Sequence, residues 1–129
     1  MPLALFYLLL STIGSNTSAT QPSIQIVEAN VSAYCPCSKC CEKWANVFPR
    51  RTASGHILKK GDKFVAMPRS YPFGTLVSIP NYNNGNWVKV LDRGGAIKGN
   101  KIDVYFDTHQ EALKWGRQHL KVKIMLPKK

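Results

Sequence analysis

Apolar and polar residues alternate in four stretches of this 129-residue chain, and two further short stretches are also predicted to be strands. A period of two is typical of strands with one buried face. Segments rich in proline, glycine and asparagine separate most of these stretches, as expected for turns. The stretches span residues 24–33, 64–67, 75–79, 87–91, 102–106 and 120–126. Six short strands in a chain of this size predict an all-β fold, namely a small β-barrel.

The sequence also predicts one or two short helices. Thr108 and Glu111 have the spacing of a capping box, which predicts a helix that continues through Trp115. Gly116 is a typical residue just after a helix end. A second short helix is predicted over residues 40–48. The barrel would therefore carry its main helix between the last two strands.

The first residues resemble a targeting segment rather than part of the barrel. Residues 3–10 are apolar, and Thr17, Ser18 and Ala19 offer a small-residue cleavage site. The apolar run is short for a membrane span, so no stable span is predicted. We therefore expect residues 1–19 to be a signal peptide and residues 21–127 to form one domain. The protein is expected to be secreted, periplasmic or associated with the cell wall.

The chain is strongly basic, with a formal net charge of +11 at pH 7. Its hydrophobic content of 44% is normal for a globular core, which excludes a disordered chain. The charge favours an anionic partner such as a wall polymer, a membrane surface or a nucleic acid. Because export is predicted, nucleic acid is not an expected partner.

All four cysteines lie in one short segment, YCPCSKCC, at Cys35, Cys37, Cys40 and Cys41. An even number of cysteines in an exported chain favours disulfides. Bridges between residues this close would be strained, so a structural zinc is the rival interpretation, bound by all four cysteines or by three and His56. Reduced thiols are the third. The three histidines are otherwise expected at the surface, and no catalytic Cys–His pair is predicted.

The most informative segment contains two aspartates on either side of a glycine-rich loop. Asp92 ends one alternating stretch, and Asp103 lies within the next. Gly94, Gly95 and Gly99 lie between them and suit a tight backbone turn. Strand, loop and strand could bring both carboxylates to one cleft. Enzymes that cleave glycosidic bonds usually do so with a pair of carboxyl groups in a cleft.

The order of these segments resembles the three-aspartate (3D) domain family of cell-wall enzymes and the related catalytic barrel of membrane-bound lytic transglycosylase A. The matching segments are Ala33-Tyr34-Cys35, Thr52-Ala53-Ser54-Gly55, PRSYPFGT at residues 68–75, and Asp92 to Phe106. The resemblance implies a double-psi β-barrel with a sugar-binding cleft. It also implies cleavage of the β-1,4 bond between N-acetylmuramic acid and N-acetylglucosamine in peptidoglycan, without added water and without a cofactor.

The resemblance also assigns roles to residues of this chain. It implies that Asp103 is the general acid and base, while Asp92 supports it by raising its pKa or binding sugar. It further implies that the glycan strand contacts five residues: Thr75, Gly94, Gly95, Lys98 and Tyr105.

The chain departs from the family at the first of its three aspartates. Met67 precedes Pro68 where the family has an aspartate. Methionine cannot ionise, so two other functions stay open beside the transglycosylase. One is a non-catalytic barrel that binds peptidoglycan or another glycan. The other is a barrel β-glucanase that hydrolyses its substrate with two aspartates.

Overall fold

The computed structural model describes residues 23–37, 49–94 and 97–128, and these residues form a closed barrel. Six strands are defined within them: β1 Ile24–Tyr34, β2 Phe64–Ala66, β3 Leu76–Ser78, β4 Val88–Asp92, β5 Lys101–Tyr105 and β6 Gln118–Met125. Their order around the barrel is β1-β5-β2-β4-β3-β6. The predicted small all-β barrel is therefore confirmed. The predicted signal peptide and the predicted helix at residues 40–48 lie outside the described residues.

Two interlocked connections explain this strand order. β1 runs parallel to β5 and β5 antiparallel to β2, so β5 lies between β1 and β2, which follow each other in the chain. In the same way β2 runs parallel to β4 and separates it from β5. The consecutive strands β1 and β2 thus flank β5, and the consecutive strands β4 and β5 flank β2, which is the arrangement expected of a double-psi barrel.

The barrel encloses a core made mainly of branched aliphatic side chains. β-branched residues suit a pleated, buried surface, and they alternate with exposed residues as the period of two predicts. The core valines and isoleucines from the six strands are Val31, Val65, Val77, Val88, Val90, Ile102, Val104, Val122 and Ile124. Tyr82 closes one end, where its buried hydroxyl accepts from the Phe64 amide at 3.2 Å and lies 2.5 Å from the Tyr105 carbonyl oxygen.

The helix α1, His109–Trp115, agrees with the predicted capping box. The Thr108 hydroxyl accepts from the Glu111 amide at 3.2 Å and donates to the Glu111 carboxylate at 2.9 Å. Gly116 ends the helix at a φ of 68°, which a residue with a side chain rarely adopts. The indole nitrogen of Trp115 donates to the Val31 carbonyl at 3.1 Å, which fixes α1 against β1. Within the described part of the chain, no helix has the length and apolar character of a membrane span.

Candidate active site

The two aspartates lie on either side of one residue of β2. Ala66 is the register partner of Asp92 on β4 and of Asp103 on β5. Register partners on neighbouring strands point to the same face of a sheet, and two strand spacings are roughly 10 Å. The chain thus brings both carboxylates to one face by placing a strand between them, rather than by a simple hairpin.

Asp92 is held by three hydrogen bonds. Its Oδ1 accepts from the Ala53 amide and from the Arg93 amide, both at 2.9 Å. Its Oδ2 accepts from the Tyr34 hydroxyl at 2.5 Å. These donors come from the end of β1, from the loop at residues 52–55 and from the start of the glycine-rich loop. Asp92 therefore joins three segments of the chain and has a fixed orientation.

Asp103 has the opposite environment. Its Oδ1 is buried and has no hydrogen-bond partner among the residues that the structure describes. Burial raises the pKa of the Asp103 carboxyl, the positive charges of Lys101 and Arg117 lower it, and the negative charge of Asp92 raises it further. The residue as a whole is only partly buried. A carboxyl group whose pKa is raised by burial is a candidate proton donor.

A basic groove begins beside Asp103. Ser32, the register partner of Asp103 on β1, lines it together with Asn30, Lys101, Arg117, Gln118 and His119. Its volume is about 450 Å³, which is in the range of small-molecule sites. The groove therefore offers hydrogen-bonding and positively charged groups close to the strand that carries Asp103.

Arg93 holds the loop that follows β2. Its guanidinium donates to the Tyr71 carbonyl at 2.6 Å and to the Met67 carbonyl at 3.3 Å, and it stacks over the Phe73 ring at 4.0 Å. Phe73 itself is exposed, whereas Met67 is only 2% exposed and packs in the barrel core. Met67, which the resemblance pairs with the first aspartate of the family, thus occupies a core position in this chain.

The residues predicted to bind substrate fall into two groups. Thr75 is fully buried, and its hydroxyl donates to the Pro72 carbonyl at 2.6 Å. Tyr105 is also buried, and its ring stacks on Phe64 at 4.5 Å. Neither offers a surface to a ligand in this conformation. Gly94 and Lys98 are exposed on the glycine-rich loop, and Gly95 lies outside the described residues.

The cysteine segment contacts a histidine other than the expected one. His109 Nδ1 lies 3.6 Å from Cys35 Sγ and 3.4 Å from Cys37 Sγ. His56 instead pairs with Asp62, at 2.9 Å between Nε2 and Oδ2. His109 is partly buried rather than a surface residue, and sequence reasoning missed it. The other two cysteines, Cys40 and Cys41, lie outside the described residues.

Three further groups around the site were not predicted. They are the hydroxyl of Tyr34, the amide of Ala53 and the guanidinium of Arg117. Tyr34 lies within a matching segment, but the sequence assigned it no role. Ala53 and Arg117 are far in sequence from the aspartates that they affect, Asp92 and Asp103. The capping box located His109 at the start of a helix, but no local pattern indicated that this helix start meets the end of β1.

The comparison with known families agrees with this geometry. Residues 63–126 match the family model of the 3D domain, a stretch that contains both aspartates. This part of the chain belongs to the 3D domain family.

Curated relatives of this 3D domain protein match it over part of their length. The chain is 39% identical over 77 residues to the Bacillus subtilis protein YabE, whose name assigns it to cell wall shaping. It is 38% identical over 77 residues to the Bacillus subtilis cell wall-binding protein YocH. It is 41% identical over 59 residues to an Aquifex aeolicus protein named "Probable endolytic peptidoglycan transglycosylase RlpA".

The matched regions cover 57%, 57% and 44% of this chain but only 18%, 26% and 26% of those relatives. Among solved structures, the lytic transglycosylase MltA from Escherichia coli is similar at 27% identity, with a TM-score of 0.47. That match covers 65% of this chain and 29% of MltA. The names of these three curated relatives all refer to the cell wall or to peptidoglycan.

Proposed function

We propose that this protein is an exported lytic transglycosylase that cleaves the β-1,4 bond between N-acetylmuramic acid and N-acetylglucosamine. The observation that carries the proposal is the buried Oδ1 of Asp103, which has no hydrogen-bond partner among the described residues; its register partner Ser32 lines the basic groove. A buried carboxyl oxygen without a donor destabilises the charged form, which favours a protonated acid. Membership in the 3D domain family supplies the substrate class.

In the proposed reaction, Asp103 carries both proton transfers. The protonated carboxyl donates its proton to the glycosidic oxygen while the bond from C1 of the muramoyl sugar to that oxygen breaks. The resulting carboxylate accepts the proton of the muramoyl 6-hydroxyl, whose oxygen forms the new bond to C1. The products are a 1,6-anhydromuramoyl end and a free 4-hydroxyl on the glucosamine sugar. One carboxyl group therefore suffices, and the reaction needs no cofactor.

The other groups of the site act through position and charge. Asp92 holds three segments together and places a negative charge where it raises the pKa of Asp103. Lys101 and Arg117 border the groove and would contact carboxylates of the peptide stems of peptidoglycan. Lys98 and Gly94 lie on an exposed loop that would contact the glycan strand. Thr75 and Tyr105 are left to support the fold.

A wall-binding module is the second candidate, favoured by Met67. The chain has a core methionine at the place of the first family aspartate, so the cleft is one carboxylate short of the family pattern. A relative is named as a cell wall-binding protein. Such a module would use the same basic groove without cleaving the strand.

The products of one incubation separate these functions. Purified peptidoglycan is incubated with the full chain, and the soluble fraction is analysed by mass spectrometry. Release of anhydromuropeptides supports the transglycosylase. If none are released but the protein co-sediments with the insoluble wall, the binding module is supported. Reducing ends released from a β-glucan would instead support the glucanase. A folded protein that neither binds nor cleaves peptidoglycan contradicts the first two.

A further inference from the structure

We propose that Cys35, Cys37 and His109 bind one zinc ion that joins the end of β1 to the start of α1. The two sulfur atoms and the histidine Nδ1 all lie within 4.8 Å of one another. The argument for this site does not depend on the proposed catalytic reaction, and its test does not use peptidoglycan.

The distances to the histidine fit a tetrahedral zinc. Zinc–sulfur bonds of about 2.3 Å and a zinc–nitrogen bond of about 2.0–2.1 Å place sulfur and nitrogen about 3.6 Å apart. The observed separations from His109 Nδ1 are 3.6 Å to Cys35 Sγ and 3.4 Å to Cys37 Sγ. The two sulfur atoms are 3.0 Å apart, and zinc would widen this edge toward about 3.8 Å. Cys37 is only partly buried, which leaves its side chain room to rotate.

The charge of the site favours a metal as well. Two thiolates and one neutral imidazole balance the two positive charges of zinc, so the occupied site has no net charge. Cys35 is fully buried, and burial of an uncompensated charge would be costly. Arg50 donates to the Pro36 carbonyl at 2.5 Å and fixes the backbone between the two cysteines. The loop is thereby held in the conformation that turns both sulfur atoms toward α1.

A disulfide between Cys35 and Cys37 explains less of this arrangement. Such a bridge would close a loop of only three residues, and short loops gain little stability from a crosslink. It would also give no reason for a histidine from a distant segment to lie nearly equidistant from both sulfur atoms. Metal coordination explains why the end of β1 and the start of α1 meet at these three side chains.

The neighbouring residue links the metal to the catalytic face. Tyr34 directly precedes Cys35 and donates to Asp92 at 2.5 Å. A zinc ion at Cys35 would restrict the backbone that positions this tyrosine. If the proposed function is right, loss of zinc lowers activity in part, but the metal site stands whether or not the protein cleaves peptidoglycan.

Zinc content of the full chain tests the proposal. The protein is purified, stripped with a chelator under reducing conditions and titrated with Zn²⁺, and the bound metal is counted by native mass spectrometry. We expect one zinc per chain, with two protons released per zinc as both thiols ionise. Cys35→Ser, Cys37→Ser and His109→Gln should each reduce zinc affinity at least tenfold. His56→Gln, the matched control, should retain the ion because His56 pairs with Asp62.

A second measurement avoids variants that fail to fold. Wild-type protein is treated with a thiol-alkylating reagent with and without Zn²⁺, and the modified residues are mapped. Zinc should protect Cys35 and Cys37 and raise the melting temperature by several degrees, because it binds only the folded chain. A reduced wild type that takes up no zinc overturns the proposal. The proposal is also overturned if the His109→Gln protein keeps zinc while the His56→Gln protein loses it. It is likewise overturned if the protein is isolated with a Cys35–Cys37 disulfide and takes up no zinc once that disulfide has been reduced.

Discussion

Asp92 and Asp103 flank the same residue of β2, yet their surroundings differ in nearly every respect. Asp92 receives three hydrogen bonds from three segments of the chain. Asp103 has a raised pKa and a buried oxygen that receives no hydrogen bond from the part of the chain that the structure describes. The Asp92 carboxyl group is fixed in place by its donors, whereas burial disfavours the charged form of Asp103. Under the proposed function, one aspartate holds the site together and the other exchanges a proton.

The largest expected effect comes from Asp103→Asn. An amide is nearly isosteric but cannot donate the proton that the leaving oxygen needs, so cleavage of peptidoglycan should fall by about 10² to 10⁴-fold. The release of anhydromuropeptides measures the loss, and circular dichroism checks the fold. Glu28→Gln, at an exposed site on β1, is the matched control and should keep its activity. Activity retained by a folded Asp103→Asn protein would refute the assignment of Asp103.

A third carboxylate cannot simply be restored at Met67. This side chain is 2% exposed and packs in the core, so Met67→Asp would bury a charge without a partner. We expect a loss of about 3–5 kcal/mol in the free energy of unfolding, measured by urea denaturation. Met67→Leu, which preserves volume and polarity, should cost less than about 1.5 kcal/mol. A stable Met67→Asp protein would show that this position can reach the solvent-exposed cleft.

The sequence predicts the local elements of this fold but not the long-range contacts of the candidate site. The period of two predicted the strands, and the capping box predicted α1, because both patterns are local. The neighbours of each aspartate depend on the barrel closure, which joins Ala53 to Asp92 across 39 residues. The same closure brings His109 to Cys35 across 74 residues. No spacing in the sequence encodes such contacts, so both aspartates could be named but their different roles rested on family resemblance.

Asp92→Asn should affect stability more than chemistry. The amide keeps an oxygen for the two backbone donors but loses the negative charge that strengthens all three hydrogen bonds. We expect a loss of about 1–2 kcal/mol in the free energy of unfolding. Activity should fall by about tenfold, or about 1.4 kcal/mol of barrier, well short of the effect at Asp103. An activity loss equal to that of Asp103→Asn would reverse the two roles.

Tyr34→Phe isolates one of the three hydrogen bonds to Asp92. The ring keeps its edge contact with Tyr105, at 5.7 Å between centroids, while the donor to Asp92 Oδ2 is removed. The free energy of unfolding should fall by about 1 kcal/mol. In a double-mutant cycle with Asp92→Asn, the loss of unfolding free energy in the double mutant should be smaller than the sum of the losses in the two single mutants. Full additivity would mean that this hydrogen bond does not stabilise the fold.

The smallest expected effect is a dependence of stability on pH at Asp103. An aspartate in the unfolded chain has a pKa of about 3.9, and burial raises the pKa of Asp103 in the fold. Between these two values the folded state binds more protons than the unfolded state, so stability falls as pH rises through this range. Below the range both states are protonated and the penalty vanishes; above the pKa of the folded state it is fully present.

Asparagine does not titrate, so the stability of Asp103→Asn relative to the wild type should increase from about pH 4 toward neutrality and then level off. Urea denaturation of both proteins from pH 3 to 7 measures this difference. A difference that shrinks with rising pH would mean that the fold stabilises the Asp103 carboxylate. The contrast between the two aspartates would then be lost, together with the main reason to assign the proton transfers to Asp103.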